Sequence, residues 1–478
     1  MAATDPTEKT SLRWNAANVG GHNHHHHHHL SIAGDVVDEE TMSVRSRHGK
    51  KIAIAAACLG GVVYATTMYM RSGDANADGT DRPFVDRVDD STSTTTTTTT
   101  TSVAFLGNSM FYFNDFPRFF EGIGDGFIVQ NSCLHGGASI GSLILEGNAM
   151  YPQFMTNNAI LGEDDDGNTV YDFGACTIPQ LLLGRDDRLN DPGYPTPSAD
   201  ERNNTNPCRA DAAYREYTMR KFNEGDGIVS TKGGGGEGWD YVIINDNTRN
   251  PARRSTRAHA LSMLERFYVP WLLDTGSIPV FLWTHAYTPD YACEGGAASS
   301  DSASGNKSPP DMTGLEDVAN FTSLTHVGYR AYVDLLNLYL PPSQAPRIAP
   351  VGLAYLVVHE EEYELWRTLF HCDNLHASPS GSFLQGCIVH YTLFGKMPDR
   401  SVMLSGDISH LWKNARMMQH AWEPPNPFPD RDAAEYLYRV AERVMVEGYV
   451  PSSYVDYRNG EFTLAVSSGS AFAADDDR

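Results

Sequence analysis

The sequence predicts an α/β fold, a doubly wound and mostly parallel sheet with helices on both of its faces. Short apolar runs bounded by Gly, Asn or Asp alternate with longer segments whose apolar residues recur at helical spacing. Strands that alternate with helices form parallel sheets, because a crossover must bring the chain back to the same edge. With 478 residues, of which 41% are hydrophobic, the chain can fill the core of such a fold.

Four buried strands and four helices are expected. The strands are predicted at Ser102–Leu106, Gly126–Gln130, Tyr241–Ile244 and Ile278–Trp283. The helices are predicted over Ser255–Leu273 and near 324–340, 380–395 and 432–447. Two stretches without regular periodicity, about 150–238 and 287–315, are interpreted as long insertions into one domain that spans residues 102–455. A polar tail, 456–478, follows.

The segment before this domain predicts a membrane anchor. Residues 1–51 form a low-complexity tail with six histidines, His24–His29, interpreted as a solvated natural tract or an expression tag, with a metal site as the alternative. Ile52–Met70 has no charged residue and would be about 28 Å long as a helix, close to the ~30 Å of a bilayer core. Basic residues precede it, so we expect a single-pass signal anchor with the C-terminal domain lumenal or extracellular. A cleaved presequence and a buried soluble helix are the alternatives.

Other signals agree with a glycoprotein of the secretory pathway or the cell surface. An acidic, Thr-rich stem covers residues 71–101 and resembles segments that carry O-glycans. A disulfide between Cys176 and Cys208 would close an insertion. Three sequons give candidate glycosylation sites at Asn203, Asn306 and Asn320.

Composition excludes some partners. The net charge is −24, from 36 Lys and Arg against 60 Asp and Glu, and this argues against a nucleic-acid partner. No Cys-x-x-Cys pair occurs, which argues against a structural zinc site or a dithiol redox site.

A serine follows the first predicted strand, in Gly107-Asn108-Ser109. In open parallel sheets the active site lies beyond the carboxyl ends of the strands, so Ser109 is placed at that edge and at the start of a helix. A helix N-terminus stabilises negative charge that develops nearby. Taken alone, the tripeptide also fits an ordinary strand-to-helix connection with Asn or Ser as the cap.

Hydrogen-bond donors follow the next two strands. Gly136 and Gly137 come after the second strand, where glycine lets a backbone N–H approach a ligand closely. Asn245 and Asn247 come after the third, and either side-chain amide could donate to an oxyanion. Ordinary polar turns are the alternative for both segments.

An Asp/His pair appears late in the chain. Asp373 and His376 lie three residues apart, just before Ser378 and Pro379, which are typical of a helix start. On one tight turn the carboxylate can reach Nδ1 of the ring, which leaves Nε2 free to take a proton from a serine. A surface or helix-cap pair is the alternative.

Together these residues resemble the SGNH (GDSL-type) hydrolase superfamily, in a branch with GNSFxxxNDLP, GGASL, VVLQxQS and DxxHPS-like motifs. The resemblance covers about residues 103–400, with further similarity at Phe394–Pro398. The sequence departs from the branch at Asn245 and Asn247, where the branch has Gln, and at Ala377, where the branch has Pro. The four matching blocks, in order, are Gly107–Pro117, Gly136–Ile140, Val242–Pro251 and Asp373–Leu384.

The resemblance implies a flavodoxin-like sheet and a serine esterase mechanism. It implies that Ser109 is the nucleophile, His376 the base and Asp373 the residue that orients it, with an oxyanion hole from Ser109, Gly136 and either Asn245 or Asn247. The expected function is hydrolysis of acyl esters, small-molecule or glycan, with deacetylation of glycans as one form. Because this mechanism transfers the acyl group to Ser109 and then to water, the resemblance implies no metal and no organic cofactor. An SGNH-type O-acyltransferase and a catalytically silent glycan-binding domain are the alternatives.

Overall fold

A five-stranded sheet, in which every neighbouring pair is parallel, lies at the centre of the fold. The computed structural model describes residues 100–150, 157–163, 167–191, 194, 206–223, 238–287, 312–371, 373–417 and 427–457. The strands are β1 (Thr101–Gly107), β2 (Ile128–Leu134), β3 (Ile160–Glu163), β4 (Thr169–Tyr171), β5 (Tyr241–Ile244), β6 (Ile278–Leu282) and β7 (Arg347–Ala349). β3 and β4 form a separate antiparallel pair within the first insertion.

The order of strands in the sheet is β2-β1-β5-β6-β7. The chain moves outward from β1 to β2, then returns to the other side of β1 and continues outward through β5, β6 and β7. The connections therefore diverge at β1, which makes the sheet doubly wound and opens a crevice at the carboxyl ends of β1 and β5. The predicted fold class is confirmed.

The strands include buried polar residues as well as continuous apolar runs. β1, β5 and β6 lie within one residue of their predicted bounds, because they are continuous apolar runs. β2 lies later than predicted, since the polar residues Asn131 and Ser132 continue it in register with β1. Both are buried and bonded: Ser132 N–H donates to Asn131 Oδ1 at 2.7 Å, and Ser132 O accepts from Ala175 N–H at 2.9 Å.

Helices pack around the sheet. Their bounds are Ser109–Tyr112, Phe116–Ile123, Ile140–Glu146, Ile178–Leu183, Pro207–Ala210, Ala212–Asn223, Arg249–Ala252, Arg254–Met263, Val269–Thr275, Val318–Asn337, Val351–Glu361, Tyr363–Thr368, Pro379–Phe394, Arg400–Met403 and Arg431–Met445. The helix predicted over Ser255–Leu273 contains a wider turn at Leu264–Tyr268. Pro270 follows that turn and has no N–H to donate to the helix, which accounts for the irregularity. Val351–Glu361 lacks an amphipathic pattern because it is almost wholly buried.

Aromatic packing positions the segment after β1. Phe105, at the centre of β1, is fully buried and meets three rings edge-on, with centroids 5.5–6.1 Å apart. Those rings belong to Phe111, Phe116 and Phe120, which follow Ser109. Edge-to-face pairs of this kind contribute about 0.5–1.5 kcal/mol each beyond the area that they bury. The segment that follows Ser109 is therefore held in place by aromatic packing on β1.

The expected disulfide is present in the first insertion. Cys176 and Cys208 are bonded, with their Cα atoms 5.9 Å apart. Two further cysteines, Cys133 and Cys387, are buried as free thiols.

The predicted membrane anchor requires correction. None of the helices between residues 100 and 457 that the structure describes has both the length and the apolar character to cross a membrane. The 20-residue helix Val318–Asn337 carries Arg330 and Asp334, and the apolar helix Val351–Glu361 has 11 residues where a span needs about 20. This contradicts the predicted single-pass membrane protein and the lumenal or extracellular localisation built on it. Ile52–Met70 itself lies outside the described residues, as do the tail 1–51 and nearly all of the stem.

Candidate active site

Ser109 lies in the crevice at the carboxyl end of β1, and a neighbouring strand holds it there. The Asn108 side chain caps the helix that Ser109 begins and accepts from Met110 N–H at 3.1 Å. Asn245, at the end of β5, accepts from Asn108 N–H at 3.1 Å and donates to Asn108 Oδ1 at 2.8 Å. Gly107 is required here because a Cβ would lie 1.7 Å from Asn245 Oδ1. The Gly-Asn-Ser turn is thus held to the strand beside it.

Asp373 and His376 form the predicted pair. His376 Nδ1 is hydrogen-bonded to Asp373 Oδ2, while Asp373 Oδ1 accepts from Leu375 N–H at 3.0 Å and from His376 N–H at 3.1 Å. Burial alone would raise the pKa of Asp373, but its hydrogen bonds and the His376 ring outweigh burial and hold that pKa below its usual range. An ionised carboxylate only accepts, so Nδ1 carries the ring proton. Nε2 keeps its lone pair and meets no hydrogen-bonding partner among the described residues.

Two side chains that follow Ser109 hold the histidine loop. The rings of Phe113 and His376 are stacked with centroids 3.7 Å apart and planes 3° from parallel. Asn114 Nδ2 donates to Ala377 O at 2.8 Å and to Ser382 Oγ at 3.0 Å. Segments 263 residues apart in sequence are therefore joined next to the candidate nucleophile.

The Ser109 hydroxyl is hydrogen-bonded to Tyr112, and no hydrogen bond joins it to His376 among these described residues. Catalytic hydrogen bonds commonly tighten or form only when a substrate is bound. We therefore expect a hydrogen bond between Ser109 and His376 in the enzyme–substrate complex. Burial raises the pKa of Tyr112 to about 12, which keeps its phenol protonated at neutral pH. A Cβ on Gly136 would lie 2.9 Å from the Tyr112 hydroxyl, so this tyrosine links Ser109 to the glycine turn.

Backbone donors converge on this point. The N–H groups of Ser109 and Gly136 donate to no acceptor within the described parts of the chain. The turn that carries Gly136 is fixed to β1, since His135 N–H donates to Gly107 O at 3.0 Å. Two available N–H groups beside a serine are what an oxyanion hole requires.

The two asparagines after β5 differ in their surroundings. Asn245 is buried and both ends of its amide are engaged, with Nδ2 shared between Asn108 Oδ1 and Asp246 O at 2.8 and 3.1 Å. Asn247 is half-buried, and its Nδ2 has no acceptor among the described residues. Asn247 also lines a cavity together with Gly137. Asn245 therefore positions the serine turn, and Asn247 has the available donor.

Two buried histidines flank the pair. His371 contacts Phe113 edge-on, with centroids 5.1 Å apart, and His285 Nε2–H donates to Leu375 O at 2.9 Å. Burial lowers the pKa of each to about 4, so both rings are neutral at neutral pH. They enclose the site without placing a second positive charge beside His376.

A buried ion pair that sequence reasoning missed supports the same region. Asp115 and Arg416 are almost completely buried, and Arg416 donates to Asp115 from N, Nε and Nη2 at 2.7, 2.7 and 2.9 Å. Arg416 Nη1 donates to Asp172 O at 2.6 Å. The Asn-Asp-Phe-Pro segment of the first motif thus fixes the histidine loop through Asn114 and a C-terminal segment through Asp115. The motif itself was the available signal, but it did not show which residues these side chains contact.

The remaining candidates are placed as follows. Asn320 is engaged at both ends: Nδ2 donates to Gly314 O at 3.1 Å, and Oδ1 accepts from Tyr457 Oη–H at 3.0 Å, so a glycan there would displace both contacts. Asn203 and Asn306 lie outside the described residues. Within the described ranges, no group of three or more His, Cys, Asp or Glu side chains is arranged to hold a metal ion.

Comparisons with known proteins do not assign this chain to a family. No family model and no curated protein matches the sequence. Among solved structures, the chain is similar to a crystal structure of a DUF4886 family protein from Bacteroides uniformis. The two are 10% identical with a TM-score of 0.37, over 74% of this chain and 97% of that one. We draw neither fold nor function from a similarity of this size.

Proposed function

We propose that this protein is a serine-dependent hydrolase of acyl esters, of the SGNH (GDSL-type) kind. One observation carries the proposal: the Asp373–His376 pair stacks on Phe113, four residues after Ser109. The base and the nucleophile thus come from distant segments that the fold clamps together. The α/β fold alone would not support the proposal, since this fold class hosts many activities. The serine motif or the Asp/His motif taken alone would also support it less than the contact between them does.

The chemistry follows from the positions of the donors and acceptors. Ser109 Oγ attacks the ester carbonyl carbon while its proton passes to His376 Nε2, and Asp373 stabilises the imidazolium that forms. The oxyanion accepts from the N–H groups of Ser109 and Gly136 and from Asn247 Nδ2, each contributing about 3 kcal/mol to the transition state. Collapse expels the alcohol, which takes the proton from His376 and leaves an acyl group on Ser109. Water, deprotonated by His376, then releases the acid.

Labelling with a fluorophosphonate probe tests the nucleophile. Ser109→Ala should abolish labelling and lower turnover of small esters by several orders of magnitude, because the covalent step is lost. Ser343→Ala is the matched control, since Ser343 is exposed and far from the crevice in sequence, and it should label like wild type. Undiminished labelling of the Ser109 variant would refute the assignment.

A double mutant tests whether Asp373 serves His376. Asp373→Asn and His376→Ala should each lower kcat strongly, and the double variant should be little worse than the poorer single one, because groups that act as a unit are not additive. If the two losses multiply in the double variant, the Asp373 carboxylate only stabilises its own turn and does not serve His376.

A further inference from the structure

The backbone of His135 sets the direction of the proposed oxyanion donor, the N–H of Gly136. The carbonyl of His135 accepts from Ala138 N–H at 3.1 Å, which closes a tight turn. In a planar trans peptide the carbonyl oxygen and the following N–H point in opposite directions. Because the bond to Ala138 fixes where His135 O points, it also fixes where Gly136 N–H points. A rotation of the His135 backbone would therefore turn the donor away.

Both ends of this turn are tied to the segment that carries Ser109. His135 N–H donates to Gly107 O at 3.0 Å, and Asn108 Nδ2 donates to Ala138 O at 2.8 Å. These two bonds hold the turn beside the serine segment. The side chain of His135 supplies the remaining contacts of the residue from which the donor peptide starts.

The imidazole of His135 is buried, and both of its nitrogens meet an acceptor. Nδ1 lies 2.9 Å from Gly147 O, and because a carbonyl oxygen only accepts, Nδ1 carries a hydrogen and donates. Nε2 lies 3.1 Å from Glu146 Oε2 and donates to this carboxylate when the ring is protonated. The bond to Gly147 is therefore present in either protonation state of the ring.

The acceptor of the Nδ1 bond is itself fixed. Gly147 follows the helix Ile140–Glu146 as its C-cap, with φ of 68°, a backbone conformation that favours glycine. A Cβ at this position would overlap with Cys176 O and with Asn206 Nδ2, which belong to the insertion closed by the disulfide. The ring of His135 thus ties the donor peptide to a helix end that packs against the first insertion.

We propose that His135 is a positioning residue of the oxyanion hole, whose ring keeps Gly136 N–H directed at the oxyanion, chiefly through its bond to Gly147 O. The inference rests on the proposed hydrolase function, because only that function uses Gly136 as a donor. His135 does not touch the substrate and takes no proton from it. An oxyanion exists in the transition state and not in the bound ester, so loss of the ring should lower kcat and leave KM nearly unchanged.

Substitutions of His135 separate its two contacts. The amide nitrogen of Asn lies as many bonds from Cα as Nδ1 does, and the amide nitrogen of Gln as many as Nε2. His135→Asn therefore keeps a donor to Gly147 O, His135→Gln keeps only a donor toward Glu146, and His135→Phe keeps neither. Complete removal of an oxyanion donor lowers kcat by about 10²–10³, and a donor that is present but misdirected should lower it less.

Kinetics with a small acetyl ester measure these effects in the full chain. His135→Phe and His135→Gln should lower kcat by about tenfold or more, whereas His135→Asn should stay within about threefold of wild type. His390→Phe is the matched control, since it removes another buried ring whose Nδ1 lies 3.0 Å from a carbonyl, Lys396 O. His390 lies eleven residues into the helix Pro379–Phe394, away from the Asp/His loop, and its variant should keep the wild-type kcat.

A boronic acid inhibitor gives a readout that a merely structural role would not move. Its tetrahedral adduct with Ser109 places an oxygen where the oxyanion forms, so the inhibition constant should rise by the factor by which kcat/KM falls. Urea denaturation shows that each variant is folded. If His135→Phe does not fold, the comparison of the Asn and Gln variants decides in the same way.

The outcomes separate this inference from the hydrolase itself. A wild type without turnover or probe labelling would overturn both. With an active wild type, three results would overturn the positioning role alone: an unchanged kcat in folded His135→Phe, an equal kcat in the Asn and Gln variants, or a fall in kcat without a matching loss of boronic acid affinity.

Discussion

Replacing Asn114 should weaken both the fold and the catalytic arrangement. Asn114 is buried and has a left-handed backbone with φ of 57°, a conformation that Asn adopts more readily than other side chains that carry a Cβ. Its Nδ2 makes the two hydrogen bonds to Ala377 and Ser382 that tie the serine segment to the histidine loop.

The magnitude follows from these contacts. Asn114→Ala removes three buried hydrogen bonds, worth about 1 kcal/mol each: the two that Nδ2 donates and the one that Oδ1 accepts from His371 Nε2–H at 3.3 Å. Alanine also pays about 1–2 kcal/mol for the left-handed backbone. We therefore expect the free energy of unfolding to fall by about 4–5 kcal/mol.

Asn114→Gly separates the two contributions. Glycine loses the same hydrogen bonds but tolerates a positive φ, so it should be more stable than the alanine variant by about 1 kcal/mol. Urea denaturation measures both variants, and hydrolysis of a small ester shows whether the loosened loop lowers kcat. A loss below about 1 kcal/mol for Asn114→Ala, or equal stability of the two variants, would refute the reasoning.

Three further outcomes are expected. Arg416→Met removes the guanidinium that donates twice to the buried Asp115 carboxylate and leaves that carboxylate with Arg118 Nε at 3.7 Å. Urea denaturation should therefore show a loss of about 3–5 kcal/mol, and a loss below about 1 kcal/mol would contradict this. Cys208→Ser opens the 32-residue loop closed with Cys176 and should lower the free energy of unfolding by about 3 kcal/mol in the same assay. Wild type in reductant should lose the same amount, and unequal losses would contradict this. The folded pKa of Tyr112, about 12, exceeds its unfolded value of about 10, so the phenol stays neutral and its contribution to stability is lost only as pH rises through that window. A loss of activity near pH 10 that Tyr112→Phe removes would contradict this.

The sequence was sufficient where structure is local. Continuous apolar runs located β1, β5 and β6 because burial on both faces leaves no other pattern. It was insufficient for β7, whose three residues include Arg347, and for Asn131 and Ser132, which look like a loop yet continue β2 because long-range partners satisfy them.

The same distinction holds at the site. Asp373 and His376 are three residues apart, and their pairing needs only a local turn, so spacing was enough to propose it. The contacts of Phe113 and Asn114 with the histidine loop, and of Asp115 with Arg416, join residues far apart in the chain. Sequence spacing carries no signal for such contacts, although the motif residues that make them are present.

The wide separation of those partners has a consequence during synthesis. Asp115 leaves the ribosome 301 residues ahead of Arg416, which is roughly 15–60 s at typical translation rates. During that interval the serine segment lacks both His376 and the cation that pairs with Asp115. Under the proposed hydrolase function, a nascent chain therefore lacks the groups that it needs to attack esters until these partners have emerged. Ribosome-bound chains stalled before and after residue 416 should differ sharply in their labelling by a serine probe.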